Sequence, residues 1–136
     1  AHAAELALDT ENRAALIDSL ILCKFVRGVF DKFYEEAAEL LQAVTGWEVT
    51  GAELEDVARR IVDLRKAFNI REGWAPEDDT LPARFLGEPL PDGVSAGARL
   101  PAERLREMVR SYNLARGWTE QGYLPESVLR DLGVDI

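Results

Sequence analysis

Residues 50–68 read TGAELEDVARRIVDLRKAF, a segment that carries both the start signal and the apolar period of an amphipathic helix. Thr50 and Glu53 have capping-box spacing, in which the Thr50 hydroxyl accepts from the Glu53 amide and the Glu53 side chain reaches back. Apolar residues then recur at three- and four-residue steps. They predict one buried stripe, made of Leu54, Val57, Ala58, Ile61, Leu64 and Phe68.

Two further helices are predicted on the N-terminal side of this segment. The first runs from about Glu11 towards Leu22, with Asp9 or Thr10 as its cap. The second runs over residues 31–44, and Thr45-Gly46 then supplies a left-handed stop.

The C-terminal side begins with a break in the helical pattern, at residues 69–100. This stretch carries Pro76, Pro82, Pro89 and Pro91, and it is predicted to be a long loop. Apolar side chains within it favour a packed loop over a free tail: Trp74, Leu81, Phe85, Leu86 and Leu90. Pro101 at a helix N1 position, Gly117 as a stop and Pro125 before the last apolar run predict two more helices.

The fold class that follows is mainly α: one compact domain over residues 1–136, with about four to five helices and a long Pro-rich loop. The chain begins with Ala1 rather than Met, so we expect a fragment of a longer protein. A net charge of −9 argues against nucleic acid or an anionic membrane as the main partner. No apolar run approaches the roughly 20 residues of a membrane span.

Cys23 is the one cysteine, and His2 is the one histidine. A lone cysteine excludes a disulfide framework and suits a reducing compartment. From the residues alone, Cys23 is either a small buried apolar residue or a thiolate favoured by Lys24 and Arg27 or by a metal. One cysteine cannot hold an iron–sulfur cluster by itself, because such clusters usually need four ligands.

A second polar group lies around Trp74. Arg71 could bind an anion there, and the carboxylates of Asp78 and Asp79 could bind a cation. The alternative is a set of salt bridges that fixes the Pro-rich segment. No autonomous active site is indicated, and no catalytic residue can be named.

Two ordered stretches resemble the tungsten-containing aldehyde ferredoxin oxidoreductases. Residues 18–25, DSLILCKF, are similar to the family's Asp-x-x-Gly-Leu-Cys segment with a following basic residue and Phe. Residues 68–85, FNIREGWAPEDDTLPARF, are similar to its Phe-Asn-x-Arg-Glu-Gly and Asp-Asp-x-Leu-Pro-x-Arg run. Shorter matches lie at residues 34–41, 44–47 and 114–118, so the resemblance covers most of the chain in order.

The resemblance implies a cytoplasmic enzyme that oxidises aldehydes to carboxylic acids and passes electrons to ferredoxin. Such enzymes carry a tungsten or molybdenum bis-pterin and a [4Fe–4S] cluster. This chain would be the last helical domain, partnered by the upstream domains of the same polypeptide. Alone, it is expected to be inactive, to hold no cofactor, and either to self-associate or to have a mobile N-terminal segment.

The resemblance also implies roles for four residues. Cys23 would be the fourth cluster ligand, with the other three in an upstream Cys-x-x-Cys-x-x-x-Cys run. Asp18 would hydrogen-bond the pterin, while Leu22, Cys23 and Lys24 would present backbone to it. Ile21 departs from the pattern, because the family has Gly there. If that Gly allows close approach of the backbone to the pterin, Ile21 would crowd the site.

Two other functions stay open at this stage. One is a family relative that acts on another substrate, such as a carboxylate reductase or an aromatic-ring reductase component. The other is a non-catalytic acidic interaction module, in which Cys23 is a core residue and the Pro-rich loop is a docking surface.

Overall fold

The structure, a computed structural model, describes residues 2–26 and 28–135. Within those ranges the chain forms helices and no strand, which confirms the mainly α prediction. The helices are α1 (His2–Ser19), α2 (Phe33–Thr45), α3 (Gly51–Arg71), α4 (Ala83–Gly87), α5 (Ala102–Arg116) and α6 (Glu126–Leu132). None of them is both long and apolar enough to cross a membrane.

Helix α1 begins at His2, well before the predicted start at Glu11. Alanine-rich first turns have high helix propensity, and Glu5 in the first turn suits the helix dipole. The polar run that suggested a cap lies inside the helix. Asn12 from that run is buried, because it has a partner on a distant helix.

Helix α3 starts at the predicted capping box. The Glu53 amide donates to the Thr50 hydroxyl over 3.2 Å, and the Thr50 amide donates to the Glu53 carboxylate over 2.8 Å. The Thr50 amide and hydroxyl both donate to the Glu53 carboxylate, which favours its charged form and lowers its pKa.

The predicted apolar stripe of α3 is confirmed at Leu54 and Ala58 and wrong in its remaining course. The buried apolar row is Leu54, Ala58 and Val62, which are four residues apart, whereas Val57, Leu64 and Phe68 are exposed. Both α1 and α2 pack against α3. The row between those two helices is therefore the one that is buried, and the sequence period alone does not fix it.

Two apolar clusters form the core, and α1 contributes to both. The first joins α1, α2 and α3 through Leu16, Ile17, Phe33, Ala37, Ala38, Leu54 and Ala58. The second joins α1 and α3 to the C-terminal region through Ala15, Val62, Ala67, Trp118 and Leu124. Helices α1 and α3 thus contribute to both clusters, and the C-terminal end of α1 leads into residues 20–25.

The Pro-rich segment is shorter than predicted, because α3 continues through Arg71 and α4 lies within residues 83–87. Of the apolar residues that favoured packing, Trp74 and Leu86 are half-buried. Leu81, Phe85 and Leu90 are exposed within this chain.

The predicted stops at Gly46 and Gly117 are confirmed, since both have left-handed backbone with φ of 73° and 80°. Pro101 and Pro125 are N-cap residues rather than first helical residues. Helix α2 begins at Phe33, slightly later than the predicted residue 31.

Candidate functional site

The C-terminal end of α1 closes with a Schellman motif. The Leu22 amide donates to the Ile17 carbonyl over 3.0 Å, and the Ile21 amide donates to the Asp18 carbonyl over 3.3 Å. This pair of bonds satisfies two carbonyls at the helix end and turns the chain away from the helix axis. It requires left-handed backbone at Ile21, whose φ is 56°.

Ile21 is an exception among the helix ends of this protein. The same pair of bonds ends α3, α5 and α6, and there the left-handed residue is Gly73, Gly117 or Gly133. Among the described residues, Ile21 is the one non-glycine residue with positive φ. A β-branched residue in this conformation is sterically strained, because its Cβ approaches the following carbonyl.

The turn brings Asp18 and Lys24 together. The Lys24 ammonium lies 3.3 Å from the Asp18 carboxylate, and both side chains are more than half exposed. Leu22, between them in sequence, is half-buried and packs against the α1–α2–α3 cluster. The side chain of Leu22 thus anchors the turn, while the polar side chains of Asp18 and Lys24 face solvent.

Cys23 is an exposed free thiol, so its interpretation as a buried apolar residue was wrong. The described residues contain no cluster of three or more His, Cys, Asp or Glu side chains that could hold a metal ion. Cys23 can therefore supply one thiolate, and any further ligands must come from elsewhere. Arg27, which the sequence placed near this thiol, lies outside the described residues.

Three large apolar residues close to Cys23 in the sequence are exposed. Ile21 is 90% exposed, Phe25 is 97% exposed and Val29 is 71% exposed. We call these three residues the apolar rim. Single exposed apolar residues are ordinary, but three within nine residues of chain that also carry an exposed thiol suggest a surface that another body covers.

A polar clamp fixes α1 to α5 at the middle of α1. Arg116, with a side chain only 2% exposed, donates to Glu11 over 2.6 Å and to Asn12 over 2.6 Å. It also donates to the Tyr112 hydroxyl over 2.9 Å, and that hydroxyl in turn donates to Glu11. Burial, with the Glu11 hydrogen bond as a second cause, raises the Tyr112 pKa well above its ordinary value. This clamp fixes α1, the helix that leads into the turn of residues 20–22.

Sequence reasoning missed the clamp because its partners are more than 100 positions apart. Two local features hinted at it: a polar residue, Asn12, inside an apolar helix, and an arginine, Arg116, directly before the helix stop at Gly117. Neither feature predicts that Asn12 and Arg116 contact each other.

A second polar group lies between α3 and the C-terminal segment. The Trp118 indole N–H donates to the Asp63 carboxylate over 2.8 Å. Burial raises the pKa of Asp63, although the Trp118 hydrogen bond and nearby arginines oppose the shift.

Lys66 lies one turn further along α3 and is nearly buried. Its ammonium is 2.9 Å from the centre of the Trp74 ring and 3.6 Å from the Asp79 carboxylate. Burial lowers the Lys66 pKa, and Asp79 partly restores it. Asp79 also accepts from the Trp74 indole N–H over 3.1 Å, so these contacts tie the start of the Pro-rich segment to α3.

The remaining polar residues of that segment have local partners. Asp78 accepts from the Ala75 amide over 2.9 Å, and Arg71 pairs with Glu72 over 3.1 Å at the surface. For Asp78 and Asp79 this geometry favours the interpretation as a structural set over a cation site. The Arg71 side chain remains more than half exposed in this pair.

Two cavities lie beside α1, and Cys23 lines neither of them. A cavity of about 540 Å³ lies between the N-terminal half of α1, α5 and residues 78–81, at the opposite end of α1. A smaller one of about 240 Å³, lined by Arg13, Ile17, Lys24 and Phe33 among others, lies beside the turn that carries Cys23.

Comparison with known proteins gives a consistent result. Residues 1–134 match the family model described as aldehyde ferredoxin oxidoreductase, domains 2 and 3. The tungsten-containing aldehyde ferredoxin oxidoreductase of Pyrococcus furiosus is 39% identical over 125 residues, which cover 91% of this chain and 20% of that protein. The enzyme of the same name from Pyrococcus horikoshii is 36% identical, over 92% of this chain and 20% of that protein.

A third relative has a different name. The aliphatic sulfonate oxidoreductase, WOR-like subunit, of Pyrococcus furiosus is 32% identical over 88% of this chain and 20% of that protein. The chain thus spans about a fifth of the length of each of these relatives.

Proposed function

This chain belongs to the aldehyde ferredoxin oxidoreductase family, and we propose that it is the last helical domain of a tungsten-pterin enzyme. In this proposal the parent enzyme is cytoplasmic, oxidises an aldehyde to a carboxylic acid and passes the electrons to ferredoxin through a [4Fe–4S] cluster. The upstream domains of the same polypeptide supply the rest of the active site.

The observation that carries the proposal is the exposed thiol of Cys23 directly after an anchored turn. The Schellman motif fixes the backbone of residues 20–22, and Leu22 anchors it to the core. A thiol held there, unused by the described residues, suits a ligand to a metal group that another part of the polypeptide completes.

The donor set of the turn fits the cofactors. Cys23 would ligate one iron of the cluster, and the Asp18 carboxylate would accept hydrogen bonds from pterin N–H groups. The backbone of Leu22, Cys23 and Lys24 would lie against the pterin. When bound, the metal–pterin supplies the two-electron oxidation of the substrate, and the cluster supplies the path for electrons.

This chain's own residues orient these groups. The Lys24 ammonium lies 3.3 Å from the Asp18 carboxylate and positions it at the surface of the turn, where it can accept hydrogen bonds. Arg116 fixes α1 to α5 and thereby limits the movement of the turn. We assign no general acid or base to this chain.

The 32% identity to a protein named for an aliphatic sulfonate supports a second candidate, a relative that acts on another substrate. Substrate choice would depend on a pocket shared with the upstream domains. Family membership favours either enzyme over the interaction-module alternative, in which Cys23 would be a core residue.

The test is elemental analysis of the full-length parent protein, purified without oxygen, beside its Cys23→Ala variant. We expect stoichiometric tungsten or molybdenum and about four irons per chain, with iron falling in the variant. A Ser19→Ala variant of the same turn is the matched control and should keep its iron. A metal-free parent, or an iron content that Cys23→Ala leaves unchanged, contradicts the proposal.

A further inference from the structure

Ile21 has a strained backbone, and the described residues give its side chain almost no packing. Its φ of 56° is strained for a β-branched residue, and the three equivalent positions at Gly73, Gly117 and Gly133 avoid that strain. Ile21 is 90% exposed, so contacts with the described residues do not offset the cost. Strained residues of this kind concentrate at functional sites.

The position of Ile21 shows what the side chain could serve. It lies two residues before the exposed thiol of Cys23, and Phe25 lies two residues after that thiol. Both flanking side chains are large, apolar and almost fully exposed. In the sequence, the thiol thus lies between two exposed apolar residues.

We propose that Ile21 shields the iron–sulfur cluster held by Cys23 from water and so lowers its reduction potential. This inference rests on the proposed function. The body that covers the apolar rim is the cluster with the upstream part of the same polypeptide, since this chain is about a fifth as long as its relatives.

The physical reason is the charge of the reduced cluster. One-electron reduction adds a negative charge, and water stabilises that charge more strongly than apolar side chains do. Solvent exposure is therefore one of the factors that set cluster potentials. Removing an apolar group beside a ligating thiolate admits water and moves the potential to a more positive value.

The experiment compares Ile21→Gly, Ile21→Thr and Ile21→Val in the anaerobically purified full-length enzyme. Dithionite titration followed by the spectroscopic signal of the reduced cluster measures the potential, and loss of visible absorption in air measures solvent access. Ile21→Thr keeps the branched shape and adds a hydroxyl, whereas Ile21→Val stays apolar.

We expect Ile21→Gly and Ile21→Thr to have a more positive potential and faster bleaching, with Ile21→Val close to the wild type. Equal potentials and bleaching rates in all four proteins overturn the inference. So does a higher tungsten or molybdenum content in Ile21→Gly at unchanged potential, because Ile21 would then only crowd the pterin.

The proposed function fails separately from this inference. If the parent holds no cluster that depends on Cys23, the elemental analysis of the Cys23→Ala variant shows this independently of residue 21. If the cluster is present but insensitive to residue 21, the family role of Cys23 stands and the shielding role of Ile21 is wrong.

Discussion

The Leu22 amide donates to the Ile17 carbonyl over 3.0 Å across a turn in which Ile21 adopts left-handed backbone. The bond keeps Leu22 against the core cluster that contains Ile17. The turn is therefore well anchored although one of its residues is strained, and Cys23 is the next residue along the chain.

Ile21→Gly should stabilise the chain. The left-handed conformation costs an L-residue about 1–2 kcal/mol. The greater freedom of glycine in the unfolded chain makes the net stabilisation smaller than this. Urea unfolding of the 136-residue chain, followed by circular dichroism, measures the change. Gly117→Ala is the matched control, because its added Cβ meets open space and only the backbone strain remains. It should destabilise, and a stabilising Gly117→Ala or a destabilising Ile21→Gly contradicts this account.

Arg116→Ala should be strongly destabilising. The substitution removes the ion pair with the partly exposed Glu11 and leaves the buried Asn12 amide oxygen without its donor, which costs about 1–3 kcal/mol. Thermal or urea unfolding measures it. Arg104→Ala on the same helix is the control, since its ion pair with Glu107 is exposed and should contribute less than about 1 kcal/mol. Equal effects of the two substitutions would show that the clamp contributes little.

Asp63 should make the folded state more stable as the pH falls, which is the reverse of a carboxylate whose pKa is lowered by folding. Burial raises its pKa above the unfolded value, so the folded state binds more protons than the unfolded state between the two pKa values. The stability of the wild type relative to Asp63→Asn should therefore rise as pH falls from neutral towards about 4. The amide oxygen that this substitution introduces can still accept the Trp118 hydrogen bond. A difference that is constant with pH, or that falls on acidification, refutes the assignment.

Arg71→Ala in the full-length enzyme should lower cofactor retention or turnover while leaving stability nearly unchanged. The only ion pair of Arg71 within the described residues is with Glu72 at the surface, and such pairs contribute about 1 kcal/mol or less. Metal content per chain and unfolding curves give the two readouts. Arg130→Ala, in an exposed pair on α6, is the control. Wild-type metal content and turnover in Arg71→Ala would remove the functional role of this residue.

The chain on its own should self-associate through the apolar rim of Ile21, Phe25 and Val29. Burying exposed apolar surface is favourable, and a second copy is the available partner when this chain is studied alone. Sedimentation velocity over a range of concentrations should show association that Phe25→Ser weakens. Val94→Ser removes an equally exposed apolar side chain elsewhere and should change nothing. A chain that stays monomeric at every concentration contradicts this expectation.

Much of the fold could be predicted from short-range signals. The Thr50–Glu53 capping box and the stops at Gly46 and Gly117 all appear where the sequence placed them. Each of these signals acts between residues at most four or five positions apart, so local sequence contains both partners. The family motif around Cys23 is local in the same sense.

The tertiary structure decided what depends on distant partners. The packing of α1 and α2 selects the buried row of α3. Arg116 binds Glu11 and the buried Asn12 across more than 100 positions. The tertiary structure also decided that Cys23 is exposed, because the turn at Ile21 directs the chain away from the axis of α1. Local sequence specifies hydrogen bonds and caps within one helical turn, whereas burial depends on which surfaces meet when the helices pack.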